Sequence, residues 1–143
     1  MSAPAPGTID PRVAESFAAQ GLMRALGARL VWAGGGRCAI EAAMAPHLTQ
    51  QDGFFHAGVT SSLADTAAGY AAYTLMERDQ RVLTVEFKVN LLRPAAGDRL
   101  RAEASVLRSG QRITVVEAVA RVEREGGWRE CARFLGTMMA VDG

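Results

Sequence analysis

The stretch from Gly53 to Met76, GFFHAGVTSSLADTAAGYAAYTLM, limits the fold more than any other part of the chain. It reads as a loop running into one long helix. Beyond Gly58 nearly every residue is small or apolar, as in Val59, Leu63, Ala64, Ala67, Ala68 and Ala71. A helix that is apolar on all sides belongs inside a protein. About 20 helical residues span about 30 Å, so whatever encloses them must be equally long. Asp65 stands in the middle of this helix, two turns in and too deep to act as a cap. An isolated carboxylate is costly to desolvate. Asp65 therefore either reaches a cleft or is satisfied by neighbours, with Ser61 and Ser62 one turn earlier as local candidates. A carboxylate in that setting is a candidate for chemistry.

The remaining elements supply the enclosure. Val82–Leu92 alternates, with Val85, Phe87, Val89 and Leu91 on one face and Thr84, Glu86, Lys88 and Asn90 on the other. Leu100–Leu107, Ile113–Val122 and Trp128–Val141 follow, separated by turns at Pro94–Asp98, Ser109–Gln111 and Gly126-Gly127. Four strands joined by turns predict an antiparallel meander. Upstream, Leu30–Ala33 and Cys38–Ala43 flank Gly34-Gly35-Gly36 and predict a hairpin. Pro11 opens a helical pattern through Val13, Phe17 and Leu22. A strand of about 10 residues is about 33 Å long and matches the helix. The expected fold is α+β: an antiparallel sheet of five to six strands wrapped round one long helix. Residues 1–10 read as a flexible arm, and residues 11–143 as a single domain.

Composition narrows the function. A net charge of +1 without a basic stripe argues against nucleic acid. Cys38 and Cys131 lie in strand-like segments, match no zinc or redox spacing, and read as buried free thiols. No metal site and no organic cofactor are expected. The N-terminus lacks a secretory pattern and no segment suits a membrane span, so the expected compartment is the cytoplasm.

Several motifs together carry a family. His56-Ala57-Gly58 leads into the long helix with Asp65 nine residues after the histidine; TVEFKVNLLRPA follows at Thr84–Ala95, LRSGQR at Leu107–Arg112, and the last strand holds GTMM. This combination, over about residues 15–141, resembles the hotdog fold, and more narrowly the phenylacetate-degradation (PaaI-like) acyl-CoA thioesterases.

The resemblance implies roles. Asp65 is the general base or nucleophile on an acyl-CoA thioester. The amide of Ala57 polarises the thioester carbonyl. Gln50 helps place the water or the carboxylate, and Thr84 comes from a neighbouring subunit. The turn Arg108, Ser109, Gly110, Gln111 and Arg112 lies along the nucleotide end of coenzyme A. Ala57 departs from the common Gly, and Gln50 from the common Asn. Helix N-termini offer unpaired amides, which makes Gly58 a second candidate donor. Phe54 and Phe55 either pack in the core or line an acyl pocket; Arg93, beside Pro94, reads as structural. His56 either caps the helix or touches substrate. With helix positions fixed by each chain's own fold, the carbonyl is expected to meet one subunit's helix tip and another's Asp65, in a homodimer or a dimer of dimers. The substrate implied is an aryl- or medium-chain acyl-CoA; a non-catalytic acyl-CoA binder is the alternative.

Overall fold

The computed structural model describes residues 7–143. In chain order it holds α1 (Pro11–Ala18), α2 (Gly21–Ala25), β1 (Arg29–Gly34), β2 (Arg37–Ala43), α3 (Ala57–Tyr73), β3 (Gln80–Leu91), β4 (Arg99–Ser109), β5 (Ile113–Arg124) and β6 (Gly127–Asp142). A short 3-10 turn, Pro46–Leu48, precedes the loop into α3. The strands form one six-stranded antiparallel sheet in the order β1-β2-β4-β5-β6-β3. The helix α3 lies across one face of this sheet, touching all six strands. This is the hotdog arrangement. Among the described residues no helix is long and apolar enough to cross a membrane.

The core is the joint product of two periodicities. Leu100, Ala102, Ala104 and Val106 of β4 and Val116, Ala118, Ala120 and Val122 of β5 bury one side of the sheet. Leu63, Ala67, Ala68, Ala71 and Ala72 of α3 meet them. The many alanines let the sheet approach closely, since a small side chain holds the backbones apart least. Each large side chain then matters: truncating the fully buried Leu63 to alanine costs about 2–5 kcal/mol by analogy with other core sites.

The four-strand meander is corrected to three strands, β4-β5-β6. Their predecessor β3 pairs with β6 at the far border instead of with β4. Both sides of β4 are already taken, by β2 and β5. The connector 92–98 runs from the border strand β3 past β6 and β5 to β4 and spends its backbone groups on the way. Leu92 N–H donates to Cys131 O (2.8 Å), Phe55 N–H to Ala95 O (3.0 Å), and Asp98 N–H to Glu123 O (2.8 Å). Gly97 passes so close to the Glu123 carbonyl that a Cβ there would collide with it.

The two borders of the sheet differ. Beside β1, Ile9 forms a bridge to Ala33, and Asp10 N–H donates to Ala33 O at 2.8 Å before Asp10 caps α1. Of the arm expected over residues 1–10, residues 1–6 lie outside the described residues. At the other border, among the described residues, β3 has no neighbour beyond it, and Leu83, Val85, Phe87 and Leu91 are exposed.

Candidate active site

The helix α3 starts where the sequence places its signature. His56 is the N-cap: its Nδ1 accepts from Gly58 N–H at 2.7 Å. That satisfies one of the amides a helix leaves unpaired at its first turn. The bond corrects one expectation, because the Gly58 amide is engaged and is not a free oxyanion donor. Ala57 N–H has no acceptor among the described residues and remains the available donor. His56 therefore shapes the tip, which is the capping alternative.

Beside Ala57 opens a cavity of about 430 Å³. Gln50, Phe54, Phe55 and Thr60 line one side. The segment Leu91–Ala95 lines the other, and Cys131 is part of the wall. Phe54 and Phe55 thus both border a pocket rather than filling the core alone. Thr60 was not singled out from sequence, and it is buried one turn beyond Ala57. Arg93, which reads as structural in the sequence, is exposed at the rim. Burial pushes the Cys131 thiol up to about 11, so it stays protonated near neutral pH and is no nucleophile.

The side chain of Gln50 serves its own loop. Its Oε1 accepts from Asp52 N–H (2.6 Å) and Phe54 N–H (3.1 Å), holding the turn that presents the two phenylalanines. Its Nε2 makes only a long bond to Asp52 (3.4 Å).

Asp65 sits further along the same helix, half-buried and facing β3. Its Oδ1 accepts from Thr84 Oγ1 at 2.8 Å. Ser62 is not its partner; that hydroxyl donates to Gly58 O at 2.7 Å. Burial raises the Asp65 pKa above the ordinary carboxylate range, and the Thr84 hydroxyl pulls it partly back. No cation holds it.

Thr84 belongs to the same chain as Asp65, so the hydroxyl and the carboxylate enter any shared site together. It also lies on the face opposite to the one its alternation predicts, and a β-bulge explains why. Thr84 pairs with Met138 and Glu86 with Thr137, leaving Val85 as the extra residue. Directly paired residues point to one face of a sheet. Met138 is fully buried, so Thr84 faces the helix. After the bulge Phe87 pairs with Gly136, and its ring stacks on Phe134 at 5.2 Å between centroids. Phe87 faces the helix too. Gly136 is bare because the Phe134 ring lies over it: a Cβ there would come within 2.8 Å of that ring.

The turn 108–112 lies elsewhere. Its central residues Ser109, Gly110 and Gln111, with Leu75, Met76 and Gln80, border a space of about 350 Å³ past the C-terminal end of α3. Arg112 bonds Ala140 O and Asp142, each at 3.4 Å, while Arg108 is exposed. One chain therefore does not bring this turn to the cavity at Ala57. Nor does it bring its own carboxylate there: residues 57 and 65 are about 12 Å apart along the axis.

A central helix on a six-stranded antiparallel sheet, an uncommitted amide at its tip and a carboxylate midway invite comparison with known proteins. The family model of the Thioesterase superfamily matches residues 52–128, more than half of the chain. The chain belongs to the Thioesterase superfamily. Within that superfamily it is similar to a thioesterase family protein from Silicibacter pomeroyi, at 45% identity and a TM-score of 0.91 over 92% of this chain and 97% of that one. The medium/long-chain acyl-CoA thioesterase YigI of Escherichia coli is 36% identical over 81 residues, covering 48% of this chain and 50% of YigI. The E. coli PaaI protein from the phenylacetic acid degradation operon shares the fold at 23% identity, with a TM-score of 0.81 over 92% of this chain and 93% of PaaI. The chain spans about half the length of the curated relatives it matches.

Proposed function

We propose that this superfamily member hydrolyses acyl-CoA thioesters, with an aryl or medium-chain acyl group, to the free acid and coenzyme A. The observation that carries the reading is Asp65: a half-buried carboxylate with one neutral hydroxyl and no cation as partner, on a helix whose tip leaves one amide unspent beside an apolar cavity. Hydrolysis needs an oxyanion donor and an activated nucleophile within about 3 Å of one carbonyl. Ala57 N–H is the donor. Asp65, its proton affinity raised by burial, either takes a proton from water or attacks the carbonyl itself.

Because about 12 Å separates the two within one chain, the reacting pair comes from two chains. The bare border of β3 supplies the means. The free edge of this twelve-residue strand, along which Leu83, Val85, Phe87 and Leu91 are exposed, can be closed by β3 of a second copy running antiparallel. Antiparallel pairing turns the two α3 helices head to tail. It carries the C-terminal end of one, with its turn 108–112, towards the tip of the other. A homodimer with two shared sites follows, and a dimer of dimers is compatible with it. A mere acyl-CoA binder would have no use for a carboxylate beside the thioester.

The test is thiol release by purified protein across phenylacetyl-, benzoyl- and hexanoyl-type CoA esters, with light scattering alongside. Turnover of at least one ester by a dimer or larger assembly is expected. A protein that binds the esters without releasing thiol overturns the enzymatic reading, and an active monomer overturns the shared site.

A further inference from the structure

We infer that the phosphates of the coenzyme A substrate dock on Arg93, Arg124 and Arg129 of the chain whose Ala57 amide faces the thioester. The inference rests on the thioesterase reading and names what holds the far end of its substrate. A second groove, of about 290 Å³, shares Phe54, Arg93 and Pro94 with the cavity beside Ala57. The two form one path leading away from the helix tip. Leu91, Leu92 and Pro94 line its inner part, which suits an uncharged pantetheine arm. Arg93 stands at the junction, and Arg124 and Arg129 line the outer groove.

The two outer arginines are brought together by the β5–β6 hairpin. Arg124 ends β5, and Arg129 follows the start of β6. Glu125 (φ 54°) and Gly126 (φ 78°) make the tight turn between them. Arg129 pairs with Val122, which is itself part of the groove wall.

These arginines have little counter-charge, as have Arg37, Arg81 and Arg108 elsewhere in the sheet; what sets them apart is that they line a groove continuous with the cavity at Ala57. Two of the neighbouring acids are spent: Glu123 takes Arg99 at 2.6 Å, and Glu130 takes Arg133 at 2.9 Å. Among the described residues Arg93 and Arg129 form no ion pair, and Arg124 reaches only Glu125, at 3.9 Å, with both side chains well exposed. Three guanidinium groups lining one groove make a local positive field. Their planar forks match phosphate oxygens in pairs. Coenzyme A has this shape of chemistry: a neutral arm ending in a nucleotide with several phosphates. By contrast, Arg112 is held to Asp142.

The experiment compares phenylacetyl-CoA with phenylacetyl-pantetheine, which has the same thioester and no phosphates. Variants are Arg93→Gln and the double Arg124→Gln/Arg129→Gln; all three side chains are exposed, so folding is retained. The expected result is a KM for phenylacetyl-CoA about tenfold higher in each, the scale of one lost charge-assisted contact. The preference in kcat/KM for the CoA ester over the pantetheine ester should shrink to match. Adenosine 3′,5′-bisphosphate should bind the wild type by calorimetry and lose about tenfold in the double variant. An unchanged KM with unchanged bisphosphate binding overturns the inference, as does an equal loss on both esters. If the wild type hydrolyses neither ester, the proposed activity falls instead, and bisphosphate binding alone then decides the role of the arginines.

Discussion

Two carboxylates, Glu41 and Asp65, occupy opposite faces of the same sheet and are treated in opposite ways. Glu41, on the outer face of β2, has a side chain only 2% exposed. Three arginines surround it: Arg29, Arg99 at 3.4 Å and Arg101 at 2.7 Å. Arg101 is in turn sandwiched between Trp32 (5.7 Å) and Trp128 (4.5 Å). Every lone pair is answered by a charge, and the group can do nothing but hold strands β1, β2 and β4 in register. Asp65, on the helix side, is less buried and has only the Thr84 hydroxyl. Burial raises its affinity for a proton, and only the Thr84 hydroxyl offsets that rise. Burial alone does not mark a functional acid; burial without a cation does.

The comparison breaks most readily at Asp65. Asp65→Asn is expected to lower kcat by at least about 100-fold, the scale of general acid–base contributions, as read by thiol release. Its effect on stability should run the other way. The folded carboxyl holds its proton to higher pH than the unfolded one. Stability contributed by this group is therefore highest at low pH and declines as pH rises from the ordinary carboxylate range through the raised pKa. The asparagine variant escapes that decline and should melt no lower than the wild type near neutral pH. A variant that loses activity because it unfolds would remove the contrast.

Glu41→Gln should do the reverse. Three guanidinium groups lose their common partner, costing about 2 kcal/mol once the partial exposure of the arginines is discounted. Chemical denaturation should show this loss while turnover per folded molecule stays at the wild-type level. Thr84→Val gives the smallest effect and the sharpest diagnosis. It removes the one bond that lowers the Asp65 pKa, so the acid limb of the pH–rate profile should move to higher pH. Turnover on the plateau should fall by about fivefold, for one hydrogen bond of about 1 kcal/mol. A limb that stays in place would mean that another group sets it.

Much of this contrast could be read from the chain. The apolar helix, its lone acid and the glycine-turned hairpin follow from composition and period, because their signals are local. Asp65 was legible as an anomaly: one charge in a row of alanines. Its partner was not. Alternation places Thr84 with Glu86 and Lys88, away from the core, and one inserted residue, Val85, reverses that. A bulge is decided by pairing with β6, far along the chain, and leaves no local mark. The same holds for the position of β3. Adjacent strands tempt a meander, and only the competition of β2 and β5 for β4 rules it out. The capping role of His56 was one of the two readings its position allowed, but the bonds of Gln50 to Asp52 and Phe54 were not legible, since they depend on side-chain rotamers. Arg93 beside Pro94 gave no signal beyond its proline neighbour.

The open flank of β3 has a consequence for a newly made chain. In the proposed dimer that edge is covered; until a sister molecule arrives, twelve residues of sticky ribbon stand ready to recruit any extended peptide nearby. Dilution lengthens that solitary interval, and crowding by other unfolded polypeptides makes it hazardous. Yield during refolding should then depend on how fast sisters meet, so the reaction and the safe birth of the protein draw on one seam.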